Sequence, residues 1–433
     1  MRGWTVFCDE PSLVVELTRR AETLGFAPKL APCDLEAARH ARSRDEAIAW
    51  VSLTVPSASE LAQLAVVRSP APLALAVPGS DRRDLAAAAA LGWIALEELA
   101  PLSSACVLAG LDLTPPFQFS DRLLEAADRR RLARHLDARR GSDALRPADG
   151  GLLALDREGT SHLLGEARDV ASALDAIRRR APDPRPAMPR VDGVEPRSVL
   201  DVILGPPREL SDPASKAALA AYDVPLPLEE VCSSPSRAAS EAGRIGFPVR
   251  IALASPDLRI WDHPDLVAEG VENAARARDV FRQVMALARA RAPEARLLGV
   301  TVSATSATEA SLHVDVRCVH EGLALAELRF ADPHGLACDD RTYLALPCTP
   351  ANLERALSTL EGASLLLGNG PTDRRARIHA LGDALLRVAA FTHDWRAEVS
   401  VVRLRPLVLL VDGSVELREA SVVVTDAFER RLQ

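Results

Sequence analysis

The alternation of apolar and polar positions predicts an α/β architecture for the first part of the chain. Within the first 116 residues, short apolar runs alternate with stretches whose apolar residues recur at helical spacing. Because parallel strands are joined by crossover helices, this order predicts a doubly wound parallel sheet with helices on both faces. Ser57 and Glu60 have the spacing of a capping box and predict the start of one helix. The apolar runs lie at residues 5–8, 47–53, 73–77 and 93–96.

The middle of the chain has weaker patterns and many prolines. Residues 121–140 are strongly charged, carry a stripe of leucines and predict a helix. Two apolar runs around the turn at 156–159 predict a β-hairpin, and residues 170–180 predict another helix. Seven prolines within residues 182–207 predict an extended linker, interrupted by a short helix at 198–203.

The last part of the chain begins with an alanine-rich helix that follows Ser211. Ser211 is a typical N-cap, and Pro213 fits the first turn because the N–H that proline lacks has no partner there. We expect Lys216 to lie on the outer surface of this helix. A later helix, at 374–391, has an apolar stripe for core packing at Ile378, Leu381, Leu385 and Val388.

These patterns predict four segments. Residues 1–116 form an α/β domain and residues 117–181 a helix–hairpin–helix connection, followed by a proline-rich linker at 182–208 and an α+β domain at 209–433. A chain of 433 residues, of which 48% are hydrophobic, can form more than one substantial core.

Composition excludes several classes of function. The formal net charge is -8, and the most basic stretch, residues 129–140, contains interleaved acids and no aromatic residue, which argues against nucleic-acid binding. The seven cysteines lack CxxC spacing, so reduced thiols are expected rather than a metal site. Neither a secretory signal nor a membrane-spanning apolar run is evident, and a cytoplasmic protein is therefore expected.

In the first segment, the pattern at residues 6–13, 51–56, 75–77 and 90–92 carries a resemblance to a known family. It resembles a response-regulator receiver domain. Receivers bind Mg²⁺ with paired acids and accept phosphate on an aspartate, but only Asp9 and Glu10 remain of the acids here. Ser52 stands where the phosphorylated aspartate would be, and Ala100 where a lysine would be, so the resemblance implies a domain that is not phosphorylated in the usual way.

A CoA-binding Rossmann-type domain is the alternative for this segment. Such a domain often precedes a domain of the kind that residues 209–433 resemble. No GxGxxG or other glycine-rich phosphate loop follows the first predicted strand, however. The flavodoxin-like or receiver-like fold is therefore the preferred expectation.

Residues 210–225, 238–249 and 376–406 resemble the ATP-grasp domain of NDP-forming acyl-CoA synthetases. The resemblance extends over roughly residues 191–424 and implies an ATP-grasp-like α+β fold. In that family a lysine and a glycine-rich loop hold the ATP phosphates, and carboxylates and an asparagine hold Mg²⁺.

The chain departs from this family at each of these positions. Ala252 stands at the lysine position, and residues 260–266 replace the glycine-rich segment with proline and leucine. Residues 332–336 lack the expected glutamate. In the closing motif, Arg403 and Arg405 stand where metal ligands are expected, and like charges would repel Mg²⁺.

Alternate residues of a strand share a face, so Arg250 would share a face with Ala252, and Arg403 with Arg405. If the fold brings these strands together, the three arginines are candidates for a metal-independent anion or nucleotide pocket. The alternative is that they pair with carboxylates such as Glu327, Glu398 or Glu416 and join the sheet.

These observations favour a catalytically inactive, acyl-CoA-synthetase-like protein that acts as a regulator or scaffold through protein contacts. The alternatives are an active ADP-forming acyl-CoA ligase with substituted site residues and a metal-independent nucleotide or anion sensor. No cofactor and no metal are expected, with ATP or ADP as the alternative ligand. We expect a protein partner, with homodimerisation as one form of that contact, and neither nucleic acid nor a membrane span.

Overall fold

The computed structural model describes residues 4–24, 27–67, 69, 71–110, 145–148, 151–155, 161–180, 186–331, 337–368 and 370–431. The chain forms two compact units, Met1–Pro184 and Arg185–Gln433. In the described ranges, no helix combines the length and the apolar character that crossing a membrane requires. The predicted charged helix at 121–140 and the substituted segment at 332–336 lie outside the described residues.

The first unit contains a five-stranded sheet in the order β2-β1-β3-β4-β5, in which every neighbouring pair is parallel. This is the strand order of flavodoxin-like doubly wound sheets, and it confirms the predicted fold class. The strands are β1 (Trp4–Cys8), β2 (Lys29–Ala31), β3 (Ala47–Val51), β4 (Leu73–Ala76) and β5 (Ile94–Leu96).

Helices connect these strands, among them the one whose start Ser57 and Glu60 predict, whereas β2 and the helix after it were not among the predicted elements. The capping box is present: the Ser57 hydroxyl accepts the Glu60 N–H at 3.3 Å, and the Glu60 carboxylate accepts the Ser57 N–H at 2.8 Å. The helices are α1 (Pro11–Thr23), α2 (Leu35–Ser43), α3 (Ala58–Ala65), α4 (Ala86–Ala90) and α5 (Ala100–Gly110).

One more helix, α6 (Ala167–Arg179), belongs to the core of the first unit. Val170, Ala173 and Ala176 are buried in the same apolar cluster as the side chains of β1 and β3. The predicted hairpin is confirmed within a small antiparallel sheet. Its strands are β6 (Leu145–Ala148), β7 (Gly151–Leu155) and β8 (Ser161–Gly165).

The second unit contains a four-stranded antiparallel sheet in the order β10-β13-β11-β12. Its core is formed by apolar residues of the strands and of two helices, α9 (Pro235–Ile245) and α10 (Ala274–Arg291). A segment with two short 3-10 turns follows β11. The strands are β10 (Glu229–Cys232), β11 (Val249–Ala254), β12 (Val267–Val271) and β13 (Gly299–Ala304).

A seven-stranded antiparallel sheet forms the rest of this unit, in the order β16-β15-β14-β17-β19-β9, with β18 paired to β17. Its strands are β9 (Arg208–Glu209), β14 (Thr308–His320), β15 (Leu323–Ala331), β16 (Ala337–Leu346), β17 (Val399–Leu410), β18 (Val415–Leu417) and β19 (Ala420–Val424). The two antiparallel sheets confirm the predicted C-terminal α+β class.

Helices pack against one side of the large sheet and leave its other side polar. The predicted stripe is confirmed, since its four residues are at most 4% exposed. On the polar side, Asp315 of β14 lies opposite Glu327 of β15 and Arg403 of β17. The helices are α7 (Pro196–Ile203), α8 (Asp212–Ala220), α11 (Pro350–Leu357), α12 (Ala363–Leu367), α13 (Pro371–Asp394) and α14 (Ala427–Arg430).

Candidate functional site

Arg250, in the second position of β11, contacts carboxylates from both sheets of the second unit. Its side chain is 5% exposed, and its Nε donates to Glu269 Oε1 of β12 at 2.9 Å. Its Nη2 donates to Glu419, which lies between β18 and β19 of the large sheet. We call the space between the two sheets, together with these ion pairs, the inter-sheet cleft.

Glu419 is a carboxylate in an unfavourable environment. Burial raises its pKa to about 7, although the positive charge of Arg250 acts in the opposite direction. Its Oε1 accepts from Arg250, whereas its Oε2 is buried and has no hydrogen-bond partner within the described structure. Near neutral pH this group therefore lies close to the balance between its neutral and charged forms.

Lys216 of α8 makes a second link across the cleft, and here the sequence expectation was wrong. The residue is 3% exposed rather than on an outer surface. Its Nζ donates to Glu229 Oε2 of β10 at 2.7 Å and lies 2.9 Å from Asp212 Oδ2. Burial alone would lower the pKa of Lys216, but these two carboxylates outweigh it and raise the pKa.

The helix that carries Lys216 begins differently from the prediction as well. Ser211 occupies the N-cap position, but its side chain accepts no capping hydrogen bond. The neighbouring Asp212 carboxylate instead accepts the Ala420 N–H at 2.7 Å and so ties the start of α8 to β19. The helix is fixed by its contacts with the sheets rather than by a local cap.

A third link joins Arg259, after β11, to Glu209 of β9. Arg259 Nη2 lies 2.6 Å from Glu209 Oε2, and Arg403 Nη1 of β17 donates to Glu209 Oε1 at 2.9 Å. The same oxygen accepts from the Ser421 hydroxyl. Glu209 therefore bridges one arginine from each side of the cleft.

Arg405 pairs with Asp315 on the polar side of the large sheet. Its Nη2 donates to Asp315, and its Nη1 donates to the Val314 and Leu404 carbonyls, each at 3.0 Å. Burial lowers the pKa of Arg405, and the nearby Arg403 and Arg329 guanidinium groups act in the same direction. Three cations thus share one region of the sheet.

Arg250, Arg403 and Arg405 each have carboxylate partners, but not the ones considered from the sequence. Glu327 instead binds Arg329, at 2.5 Å, Glu398 binds Arg431, and Glu416 lies 3.1 Å from Arg418. Arg403 and Arg405 share the polar side of β17, as their spacing predicts. Arg250 binds to the segment before β19, the strand that pairs with β17.

The positions around Arg250 are apolar or locally structured. Ala252 is fully buried in β11 and brings no charge into the cleft. The segment after it folds into 3-10 turns at Ile260–Asp262 and Pro264–Leu266, and Leu266 is also fully buried. Among the residues that the structure describes, no three His, Cys, Asp or Glu side chains are grouped so that they could hold a metal ion.

In the first unit, Asp9 and Glu10 directly follow β1. The Asp9 Oδ1 accepts the Cys33 N–H at 2.8 Å, so this carboxylate supports the loop after β2. Burial raises the pKa of the Cys33 thiol to about 12, with Asp9 contributing. Ser52, which follows β3, donates its hydroxyl to the Thr54 carbonyl at 2.6 Å.

Comparisons with known proteins find a family and several relatives of this chain. The family model of the ATP-grasp domain matches residues 205–424. The beta subunit of acetate–CoA ligase I (ADP-forming) from Pyrococcus furiosus is 30% identical over 106 residues, which cover 24% of this chain and 46% of that protein. The chain thus spans about half the length of this relative. The beta subunit of acetate–CoA ligase II (ADP-forming) from the same organism is 22% identical over 213 residues, which cover 48% of this chain and 86% of that protein.

Two solved structures are also similar. A protein from Pyrococcus horikoshii Ot3 has a TM-score of 0.46 and 20% identity, covering 53% of this chain and 99% of the other. Acetyl-coenzyme A synthetase 1 of Ca. Korarchaeum cryptofilum, in complex with coenzyme A and Ca-AMPCP, has a TM-score of 0.42 and 18% identity. It covers 50% of this chain and 93% of the other.

Proposed function

The chain belongs to the ATP-grasp family through residues 205–424, and we propose that it is a member that no longer catalyses a ligase reaction. It acts instead as a regulatory or scaffold protein through contacts with a protein partner. The observation that carries this proposal is the pairing of Arg250 with Glu419 and Glu269. Of these, the Arg250–Glu419 pair joins the two sheets across the cleft, as do the Lys216–Glu229 and Arg259–Glu209 pairs.

The residues present do not fit Mg²⁺ and ATP. A metal ion with hard oxygen ligands needs carboxylates that are free to coordinate it, whereas Glu209, Glu419 and Asp315 each bind an arginine. At the position where the resemblance implies a phosphate-binding lysine stands the buried Ala252.

Isothermal titration with ATP, with and without Mg²⁺, combined with an assay for acyl-CoA formation from ATP, CoA and a short-chain acid, tests this proposal. We expect neither heat of binding nor product. Mg²⁺-dependent ATP binding together with acyl-CoA formation would instead establish an active ligase with substituted residues. A pull-down from the native host, with size measurement of the purified chain, would identify a partner protein or a homodimer.

A second candidate function is a metal-independent anion or nucleotide sensor. The observation that favours it is the proximity of Arg403, Arg405 and Arg329, whose mutual repulsion an anion would relieve. Binding of ATP or ADP in the absence of metal, lost in the Arg403→Ala/Arg405→Ala variant but retained in Arg289→Ala, would support the sensor. Arg289 is an exposed arginine of α10 and serves as the matched control.

We propose separately that the first unit is a receiver-like domain without phospho-acceptor function. Supporting this, the acids Asp9 and Glu10 follow β1 and Ser52 follows β3, at the β1/β3 point where ligands bind in flavodoxin-like sheets. Incubation with Mg²⁺ and acetyl phosphate should leave the mass of the protein unchanged. A phosphorylated species whose label maps to residues 9, 10 or 52 would contradict the proposal.

A further inference from the structure

A second cleft in this unit lies where the first turns of α11 and α13 meet, away from the inter-sheet cleft. We call it the helix cleft. Its volume is about 620 Å³, within the range of small-molecule sites. Pro371 and Ile378 form part of its apolar lining, and Glu354, Arg374, Arg375 and His379 form its polar lining.

The basic side chains of the helix cleft are available to a ligand. Arg375 and His379 are four residues apart on α13 and hence on the same side of the helix. Both are exposed, and neither has a hydrogen-bond or ion-pair partner among the described residues. Arg374 contacts Glu354 of α11 at 3.3 Å, with side chains 47% and 42% exposed, so this contact is weak.

The direction of the two helices adds to the positive charge of these basic side chains. Both α11 and α13 begin at the cleft, and the amino-terminal end of a helix carries partial positive charge. The N-cap of α13 is Gly370, which brings no side-chain acceptor to the first turn. The basic side chains and the amino-terminal ends of the two helices therefore both favour an anion in the helix cleft. The carboxylate of Glu354 acts in the opposite direction.

We propose that the helix cleft binds a small phosphate ester. Arg375 and His379 hold the phosphate by charge-assisted hydrogen bonds, Arg374 joins them when it leaves Glu354, and Pro371 and Ile378 contact the apolar part of the ligand. A phosphate ester fits because the site combines several donors with an apolar wall. This inference does not depend on whether the inter-sheet cleft is catalytically active.

Titration of the full chain with phenyl phosphate and with phenol, followed by ligand-observed NMR and calorimetry, tests the proposal. Phenyl phosphate should bind and phenol should not. The Arg375→Ala/His379→Ala variant should weaken phenyl phosphate binding by about tenfold or more, because charge-assisted hydrogen bonds are lost. Arg289→Ala should bind like the wild type. Equal binding of the two probes, or wild-type affinity in the double variant, would overturn the proposal.

The Glu354→Gln variant provides a test of opposite sign. Removing this carboxylate frees Arg374 and takes a negative charge out of the helix cleft, so phenyl phosphate should bind several-fold more tightly. General damage to the fold could only weaken binding. Unchanged or weaker binding in Glu354→Gln, with an unchanged melting temperature, would contradict the assigned site.

Discussion

The two clefts of the second unit contain similar residue types and differ in what those residues contact. In the inter-sheet cleft, Arg250 and Lys216 are buried and each is bound by two carboxylates. In the helix cleft, Arg375 and His379 are exposed and have no partner within the described ranges. The comparison shows that the same residue types join parts of the fold in one cleft and are left exposed to solvent in the other.

The largest effect is expected from breaking the buried pair with Arg250→Met. This change leaves Glu419 buried without its cation, which should reduce the free energy of unfolding by about 3–5 kcal/mol. Urea unfolding at about pH 8, where Glu419 of the wild type is mostly charged, measures it.

The double variant Arg250→Met/Glu419→Leu is the control for this loss, because it removes both charges together. It should regain more than half of the lost stability, since replacing a buried ion pair with apolar side chains is often neutral. A double variant as unstable as the single one would show that Arg250 acts mainly through Glu269 or through packing.

The second-largest effect is expected in the pH dependence of the free energy of unfolding. Folding raises the pKa of Glu419 to about 7, so the native state holds this proton more tightly than the unfolded state does. The contribution of Glu419 to stability is therefore largest below its unfolded pKa and falls as the pH rises towards 7. Between about pH 5 and pH 7, the free energy of unfolding of the wild type should fall by on the order of 2 kcal/mol relative to that of Glu419→Gln. If the difference in unfolding free energy between the wild type and Glu419→Gln stays constant over this range, the pKa of Glu419 is not raised by folding.

A smaller effect is expected for Arg403→Ala. The Arg403 side chain is 30% exposed, and Glu209 keeps Arg259 as a second partner, so the free energy of unfolding should fall by only about 1 kcal/mol. Thermal unfolding measures this. A loss as large as that of Arg250→Met would place Arg403 among the buried groups and weaken its candidacy as a sensor residue.

The smallest effect belongs to the helix cleft. Arg374→Ala removes an exposed pair, so the stability should change by less than about 0.5 kcal/mol. Chemical denaturation of this variant beside Arg250→Met measures the contrast between the two clefts directly. A substantial loss would mean that Arg374 holds α11 against α13 and is not free to bind a ligand.

The sequence was informative where structure depends on local pattern. The Ser57 and Glu60 capping box and the buried stripe of α13 follow from spacing alone, as does the parallel sheet of the first unit. Lys216 shows where prediction from local pattern fails. Its neighbours along α8 are mostly alanines, and nothing local indicates that Glu229, thirteen residues later, lies within 2.7 Å.

The partners of Arg250 could not be predicted for the same reason. Glu419 lies 169 positions later in the chain, and only the packing of two separate sheets brings it within reach. Strand alternation gave the face on which Arg403 and Arg405 lie, but not which carboxylates they meet. The helix cleft was missed because the stripe of α13 was interpreted for its apolar face, while Arg375 and His379 lie on the exposed side.

The position of α6 in the first unit has a consequence for synthesis on the ribosome. The last strand of the parallel sheet ends at Leu96, whereas α6, which packs into the same core, begins at Ala167. At roughly 5–20 residues per second, the sheet would wait about 4–14 s for this helix. During that interval the apolar cluster lacks its contacts with α6, so the described core of this unit is completed only after Arg179 has been synthesised.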